Sequence, residues 1–303
     1  MEIDPRARLI EWPSAALGVT GRMYVYAPPD YQPEGLPLPV VYLLRGHERE
    51  WVNRREDESR FGSAIDVYER VRARGEVGPL LLAMPGLASA DNRIPGLLAD
   101  FVAPELTDAP GVGSGRFATF FFDEVLPLME REFGAHPAAR ALTGFSLGGY
   151  MAVKAVALHP DLFVSVSAYD GSFPYTGDGG RVARRYDTLL NATMFDPALG
   201  RPRTPEVMRA QNPICLLMQA NRAALRRITW MIQYGPEHIE PWGSNFYRGE
   251  YLLRALATLG IANAVPVAAL PDGAHTWAVA DRHLEQALPL HYRAFERVLA
   301  HRL

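Results

Sequence analysis

Residues 141–150, Ala-Leu-Thr-Gly-Phe-Ser-Leu-Gly-Gly-Tyr, carry the pattern Gly-x-Ser-x-Gly centred on Ser146. An apolar run from Ala139 to Leu142 leads into this stretch, and apolar residues at helical spacing follow it from Tyr150 to Leu158. This context predicts a sharp strand-to-helix turn, the nucleophile elbow, which lifts the serine hydroxyl above the sheet edge. Glycines on either side leave room for the turn, and the amide of Leu147 at the helix N-terminus can donate to a developing oxyanion.

The remaining pattern predicts a sheet with helices around it. Alternating apolar and polar residues from Ala7 to Ala27 indicate antiparallel edge strands. Continuous apolar runs separated by helical patterns indicate buried parallel strands; these runs are Pro39–Leu44, Pro79–Met84, Leu162–Ala168, Ile228–Tyr234 and Val265–Leu270. We therefore predict one α/β domain over residues 1–303, with a mostly parallel central sheet, helices on both faces and an antiparallel N-terminal edge.

Residues 174–213 interrupt this alternation. They mix Gly, Pro and Arg with few periodic apolar residues. A connection this long without periodicity is typical of a functional loop rather than a simple connector. We expect it to lie over the strand ends, either as a lid or as an excursion that selects the substrate.

The composition limits the possible partners. The chain has 48% hydrophobic residues and a net charge of −3. It therefore lacks the excess of positive charge that is typical of nucleic-acid-binding proteins. Cys215 is the single cysteine, so neither an intramolecular disulfide nor a thiolate metal cluster can form. No stretch approaches the ~18 apolar residues of a membrane helix, and residues 1–11 lack a continuous apolar segment. We expect a cytoplasmic protein with no nucleic-acid or membrane partner.

Glycines also close tight strand–helix junctions that carry no nucleophile, so the interpretation of Ser146 depends on its partners. A serine hydroxyl needs a base, which in such sheets should lie on the loop after the last strand. His275 lies in that position, after the run Val265–Leu270, in Gly-Ala-His-Thr-Trp. The other histidines do not have the required chain order and position, so His275 is the candidate base.

A carboxylate should orient the imidazole, and the expected chain order is serine, acid, histidine. Glu237 follows the penultimate apolar run, in Gly-Pro-Glu-His, and Glu240 lies three residues later. We predict Glu237 as the acid and keep Glu240 as the alternative. Both could also be surface carboxylates of the loop.

A second oxyanion donor is expected from the loop after the run Pro39–Leu44, and we choose the backbone amide of His47. Trp51, Trp242 and Trp277 fall on loops predicted near the site. They could form the walls of an acyl or aryl pocket, although tryptophan more often simply packs in the core.

Several segments together resemble one family. They are Met-Tyr-Val-Tyr-Ala-Pro-Pro-Asp-Tyr at 23–31, Val-Val-Tyr-Leu-Leu-Arg-Gly at 40–46, Glu-Val-Leu-Pro at 124–127, Gly-Phe-Ser-Leu-Gly-Gly at 144–149 and Gly-Ala-His-Thr-Trp at 273–277. The chain resembles, over nearly its whole length, the putative-esterase (esterase D-like) family of α/β hydrolases. That family includes feruloyl and acetyl-xylan esterases, S-formylglutathione hydrolases, enterochelin esterases and mycolyltransferases. The resemblance implies an α/β-hydrolase fold.

The chain departs from the family pattern at two points. The family usually has His-Gly where this chain has Arg45-Gly46. It commonly has a carboxylate three residues past the glycine that ends the penultimate strand, where this chain has His238. The family pattern therefore does not fix the detailed shape of the oxyanion loop or the identity of the acid in this chain.

These observations predict a serine carboxylic-ester hydrolase that forms an acyl-enzyme on a small-molecule ester and needs no metal or organic cofactor. Two alternatives stay open: acyl transfer to an alcohol by the same residues, and a non-catalytic α/β-hydrolase scaffold that binds carbohydrate or protein. The sequence is also compatible with a homo-oligomer.

Overall fold

The computed structural model of the protein describes residues 1–32, 34–174, 192–240 and 243–300. Its sheet has seven strands in the order β1-β2-β4-β3-β5-β6-β7. The strands are β1 (Arg8–Pro13), β2 (Thr20–Tyr26), β3 (Leu38–Leu44), β4 (Leu81–Pro85), β5 (Ala135–Phe145), β6 (Ser165–Tyr169) and β7 (Thr229–Gln233). Strands β1 and β2 are antiparallel to their neighbours, and the other five run parallel. The predicted fold class is confirmed.

Helices cover both faces of the sheet. The α-helices are α1 (Ala64–Ala73), α2 (Phe117–Thr119), α3 (Leu126–Phe133), α4 (Leu147–Leu158), α5 (Asp196–Leu199), α6 (Pro205–Gln211), α7 (Pro213–Gln219), α8 (Arg222–Arg227), α9 (Phe246–Thr258) and α10 (Trp277–Ala300). A π-helical segment (Phe120–Val125) joins α2 to α3, and 3-10 turns occupy Pro104–Leu106, Pro160–Leu162, Thr193–Phe195 and Glu237–Ile239. Within the described ranges, no helix has both the length and the apolar character needed to cross a bilayer.

Strand β3 shows how the two helical layers are held to the sheet. Val40, Tyr42 and Leu44 pack with residues of α3 and α4 on one face, whereas Val41 and Leu43 pack with residues of α1 and α10 on the other. All five are at most 1% exposed, because a strand covered on both faces buries every side chain. Each buried aliphatic side chain contributes roughly 1.5–3 kcal/mol to stability. The carboxyl ends of the parallel strands then meet at one edge, where α/β proteins bind ligands.

The predicted strand at Val265–Leu270 is wrong. This segment contributes only an isolated bridge, between Ala269 and Tyr234. Pro266 has no amide hydrogen to give to a ladder, and Val267 is 51% exposed. Within the described residues, the backbone hydrogen bonds of this segment to β7 and its neighbourhood are limited to those that Ala268 and Leu270 make with Tyr234, so the pairing does not extend into a regular strand.

Residues 175–191 of the predicted excursion lie outside the described residues. The described remainder, 192–213, forms α5 and α6 and packs on α4. The backbone carbonyl of Gln211 accepts a hydrogen bond from the Tyr150 hydroxyl, and its side-chain carbonyl accepts one from Lys154. The role of the segment in substrate selection stays a prediction.

Lys154, the only lysine of the chain, is buried within α4. Its Nζ donates to the carbonyl of Leu97 at 3.0 Å and to the side-chain carbonyl of Gln211. Burial lowers the pKa of Lys154 to about 7. A neutral amine has two N–H donors, which match these two acceptors, so the neutral form avoids an unpaired buried charge.

We predict that Lys154→Met changes the pH dependence of stability. The ordinary lysine pKa is 10.5, whereas that of Lys154 in the folded protein is about 7. Between these values the unfolded chain binds the extra proton, so this residue's contribution to the free energy of unfolding rises with pH and is lost as pH falls through 7. Urea unfolding should show that the free energy of unfolding of the wild type, relative to that of the variant, increases by on the order of 1–3 kcal/mol between about pH 6 and about pH 9.

Arg222→Met on the exposed side of α8 is the control, because a guanidinium does not titrate in this window. The stability difference between that variant and the wild type should be the same at both pH values. If the difference for Lys154→Met is also constant, Lys154 keeps its proton in the folded protein and the assignment fails.

Candidate active site

Ser146 occupies a strained turn between β5 and α4, with φ 57° and ψ −118°. A Cβ added to Gly144 would lie 2.0 Å from the carbonyl oxygen of Gly148, and one added to Gly148 would lie 1.8 Å from the carbonyl oxygen of Leu44. Neither position can therefore carry a side chain. The Oγ of Ser172 lies 3.5 Å from the Oγ of Ser146. The predicted strand, turn and helix around the serine are present.

His275 lies on the loop before α10, at the same edge of the sheet. Its ring centroid is 4.7 Å from that of Phe145, the residue before Ser146. The preceding carbonyl, of Ala274, accepts from the Tyr169 hydroxyl at 2.6 Å, and the carbonyl of Tyr169 accepts from the Ser146 amide at 3.1 Å. The loop of His275 is thus fixed against the strand ends beside the serine.

The imidazole of His275 pairs with Asp170. Its Nδ1 lies 2.5 Å from Oδ2 of Asp170, a residue that directly follows β6 and has no exposed surface. Because a carboxylate oxygen can only accept, Nδ1 must carry the proton. The other ring nitrogen, Nε2, is therefore left as the basic one.

The Asp170 carboxylate is held by donors from two further segments. Its Oδ1 accepts from the backbone amides of Gly235 at 3.0 Å and Asn245 at 2.8 Å, and its Oδ2 accepts from the Asn245 side chain at 3.2 Å. Gly235 lies just beyond β7 and Asn245 just before α9. A positive φ of 47° at Asp170 accompanies this position. A residue that follows β6 thereby places its carboxylate at the end of β7.

The prediction of Glu237 as the partner of His275 is wrong. The exposed carboxylate of Glu237 accepts from the Tyr247 hydroxyl. The alternative, Glu240, accepts from the Tyr247 backbone amide at 2.9 Å. The 3-10 turn at Glu237–Ile239 directs both carboxylates towards α9 rather than towards the imidazole.

A local signal for Asp170 does exist in the sequence. It is a carboxylate that directly follows a fully buried strand and precedes a glycine, Gly171, and it satisfies the order serine, acid, histidine. The expectation misses Asp170 because it counts Val265–Leu270 as the last strand, which makes the run before Glu237 the penultimate one. Among the strands of the described residues β7 is the last, and β6, which Asp170 follows, is its neighbour. Asn245 has no comparable signal, since its role depends on contacts across 75 residues of chain.

The prediction of His47 as an oxyanion donor is also wrong. Its backbone amide donates to Oε2 of Glu50 at 2.7 Å, and both residues are buried. That hydrogen is therefore already used inside the loop. The amide of Leu147, in the first turn of α4, has no intrahelical acceptor and stays the candidate donor.

Two of the three predicted aromatic contacts are core residues. Trp51 and Trp277 are 1% and 5% exposed, and their rings meet edge to face at 4.9 Å. The Trp51 indole N–H donates to the carbonyl of Leu44 at 3.1 Å, and Trp277 packs behind Phe145 at 5.1 Å. Their prediction as substrate contacts is wrong, because packing buries both indoles. Trp242 lies outside the described residues.

An apolar pocket begins at Leu147, the residue after the serine. Its walls come from α4, from the start of the excursion and from its described second half; the lining residues are Leu97, Leu147, Tyr150, Pro174, Phe195, Leu199, Met208, Gln211 and Asn212. The cavity volume is about 20 Å³, little more than the space needed by one water molecule. The described walls thus leave room for a small group only.

Few residues could hold a metal or a soft ligand. In the part of the chain that the structure describes, no group of three or more His, Cys, Asp or Glu residues is arranged around a common point. Cys215 is free, and burial raises the pKa of its thiol, which disfavours the reactive thiolate.

Solved structures with this fold include hydrolases of several kinds. A ferulic acid esterase superposes with a TM-score of 0.67 at 22% identity, covering 97% of this chain and 100% of that one. An S-formylglutathione hydrolase from Agrobacterium tumefaciens superposes with a TM-score of 0.65 at 17% identity, again covering 97% and 100%. At these identities the likeness establishes the α/β-hydrolase fold alone.

Sequence relatives match a smaller part of the chain. An esterase of Mycobacterium tuberculosis (strain ATCC 25618 / H37Rv) is 27% identical over 183 residues, covering 60% of this chain and 36% of that protein. The uncharacterised protein YbbA of Bacillus subtilis (strain 168) is 24% identical over 159 residues, covering 51% and 58%. The chain thus spans between about a third and three fifths of the length of these relatives.

The family comparison covers most of the chain. The profile of the family described as Putative esterase matches residues 14–238, which include the loop after β3, Ser146 and Asp170. The match and the geometry at the sheet edge agree, and the chain belongs to the Putative esterase family.

Proposed function

We propose that the protein is a serine carboxylic-ester hydrolase that forms an acyl-enzyme on Ser146. The observation that carries the proposal is the 2.5 Å contact between His275 and Asp170, at the same sheet edge as a serine held in a strained turn. A hydroxyl, an imidazole and a buried carboxylate in this arrangement are the parts of a serine triad. Family membership and the hydrolase neighbours support the same class of reaction.

In the acylation step the Ser146 Oγ attacks the carbonyl carbon of the ester while Nε2 of His275 takes the hydroxyl proton. Asp170 keeps the second ring nitrogen protonated and stabilises the imidazolium. The negative charge that develops on the carbonyl oxygen is stabilised by the Leu147 amide and by the N-terminus of α4. Collapse of the tetrahedral intermediate breaks the ester C–O bond, and the imidazolium returns the proton to the leaving alcohol.

In the deacylation step water takes the place of the alcohol. Nε2 of His275 removes a proton from the water, whose oxygen attacks the acyl carbon. The bond to Ser146 Oγ then breaks, and the proton passes to the serine. The products are the free acid and the regenerated enzyme.

The substrate's acyl group is assigned to the apolar pocket beside Leu147, because that pocket begins at the residue after the nucleophile and most of its lining residues are apolar. Its small volume favours short acyl chains. Phe195, Leu199 and Met208, in the described part of residues 174–213, supply one wall, which supports the predicted role of this segment in substrate selection.

We expect Ser146→Ala to lower kcat for an activated acetate ester by roughly 10⁴ to 10⁶, since the variant cannot form the acyl-enzyme. The fold should persist, because the lost hydroxyl belongs to a turn and not to the core. A serine-reactive phosphonate should label the wild type on Ser146, as located by peptide mass spectrometry.

Ser172→Ala is the matched control, because its hydroxyl lies 3.5 Å from the nucleophile. This variant should still be labelled on Ser146. Labelling of Ser172 in the wild type, or retention of more than a tenth of the turnover in Ser146→Ala, would transfer the role to another residue.

We expect Asp170→Asn to reduce turnover by at least about a hundredfold and by up to about 10⁴. The amide can still accept from Gly235 and Asn245, but it can present an N–H towards Nδ1 and so favour the wrong imidazole tautomer. Glu237→Gln and Glu240→Gln should each change turnover by less than about threefold, since both carboxylates bond to Tyr247. Steady-state kinetics with circular dichroism of each variant measures the ranking, and a larger loss for either glutamate would refute Asp170 as the acid.

Met208→Ala should widen the acyl pocket. We expect the kcat/KM for a butyrate ester, relative to that for the acetate ester of the same alcohol, to rise at least about fivefold, since one added methylene in an apolar pocket changes specificity by about 10-fold or more. The ratio is independent of any loss of folded protein. Met218→Ala, at an exposed position of α7, should leave the ratio unchanged, and an equally unchanged ratio for Met208→Ala would place the acyl group elsewhere.

A further inference from the structure

Arg45 stands at the carboxyl end of β3, beside the nucleophile elbow. Leu44 pairs with Gly144 in the parallel ladder, so Arg45 follows at the level of Phe145. The Cα of Arg45 would lie 2.8 Å from a Cβ built on Gly148. The residue is therefore part of the wall of the site that is formed by the loop after β3.

The Arg45 guanidinium has no hydrogen-bond acceptor within the described ranges. Its buried Nε is unsatisfied, and its nearest carboxylate oxygen, Oε1 of Glu50, is 3.7 Å away from that Nε. The guanidinium carbon also lies 5.5 Å from the centroid of the Phe145 ring. The side chain is 23% exposed, so solvent reaches only part of it.

Arg60 is a buried arginine with a purely structural role, and its hydrogen bonds can be compared with those of Arg45. It is 1% exposed, and it donates to both carboxylate oxygens of Asp281 and to the backbone carbonyls of Glu50, Trp51 and Asn53. A planar fork of five N–H donors is normally matched in this way when it is buried. Arg45 lacks such a set of acceptors.

Glu50 does not supply the missing acceptors. Its other oxygen, Oε2, holds the backbone amide of His47 at 2.7 Å, and burial raises the pKa of the Glu50 carboxyl. A separation of 3.7 Å is also too long for a hydrogen bond. The donors of Arg45 are thus positioned by the loop but not satisfied by it.

One side of the candidate site is apolar and the other carries basic groups. The apolar pocket adjoins Leu147. Arg45 and His275 both contact the ring of Phe145: its centroid lies 5.5 Å from the guanidinium carbon and 4.7 Å from the imidazole centroid. His275 is the group that returns a proton to the leaving alcohol, so the side of Arg45 is the side of the alcohol. We propose that Arg45 binds a carboxylate carried by the alcohol part of the ester substrate. This proposal rests on the proposed ester hydrolysis.

A guanidinium binds a carboxylate through two parallel N–H···O bonds, which are stronger than neutral hydrogen bonds and geometrically selective. An ester whose alcohol ends in a carboxylate would give Arg45 the acceptors that the protein does not provide. Selectivity for that substrate should appear in kcat/KM, because a neutral analogue leaves the guanidinium unmatched.

The test compares ω-acetoxy carboxylates of two to six carbons with their neutral carboxamides, all with the same acetyl group. For the best chain length, the wild type should prefer the carboxylate by at least about tenfold in kcat/KM. Arg45→Gln should abolish this preference by lowering kcat/KM for the carboxylate at least about tenfold more than kcat/KM for the carboxamide. Arg45→Lys should keep part of it, because the charge remains but the planar fork is lost.

Arg93→Gln is the control. It removes an exposed arginine whose neighbour in the chain, Asn92, has its Oδ1 3.5 Å from a Cβ built on Gly46. If any positive charge near this loop favoured the carboxylate ester, Arg93→Gln would also lower the preference. The carboxylate preference should survive in Arg93→Gln. A second pair, monoethyl succinate and ethyl succinamate, places the carboxylate in the acyl part and should show no preference that depends on Arg45.

The outcomes separate the two proposals. Failure of the wild type to hydrolyse any acetate ester would refute the proposed ester hydrolysis itself. Hydrolysis of the carboxamides without a carboxylate preference would overturn only the role of Arg45. If Arg45→Gln lowers kcat/KM equally for the neutral and the charged esters, Arg45 serves the reaction or the fold, and the proposal is overturned. If the effect of Arg45→Gln is confined to the succinate pair, Arg45 binds a carboxylate in the acyl part, and the proposal is overturned as well.

Discussion

The architecture of the site depends on one buried carboxylate. Asp170 gathers the His275 ring, the amide of Gly235 and both the backbone and side chain of Asn245. A buried carboxylate left without donors would cost several kcal/mol, so these four contacts are required together. Through these contacts Asp170 fixes the loop after β7, the start of α9 and the loop before α10. Asp170 also determines which nitrogen of the His275 imidazole is basic.

Backbone crowding around the serine imposes a second constraint. Gly144 and Gly148 let β5, α4 and the end of β3 approach to distances that exclude any Cβ. That approach brings the backbone of Arg45 against Gly148, in the first turn of α4. The same close packing that forms the elbow therefore also brings Arg45 to the candidate site.

Three basic side chains show how burial and available acceptors decide the state of a charge. Arg60 has a complete set of acceptors and crosslinks the loop of Trp51 to α10. Lys154 has two acceptors in an apolar layer, and its lowered pKa lets it lose the proton instead. Arg45 can do neither, because a guanidinium keeps its proton and no acceptor among the described residues lies within hydrogen-bond distance of its buried Nε. A carboxylate of the substrate, as proposed above, would supply acceptors to the part of the guanidinium that is open to solvent.

The sequence by itself determined the layered α/β fold, the elbow at Ser146 and the position of His275 after the last part of the sheet, because these depend on local periodicity, on glycines at a turn and on chain order. Only the tertiary structure decided which carboxylate meets the imidazole, that the amide of His47 is already bonded to Glu50, and that Trp51 and Trp277 are core residues. Those outcomes depend on contacts between segments far apart in the chain. Hydrogen-bond partners of this kind leave no periodic pattern, so the sequence alone cannot rank Asp170 above Glu237.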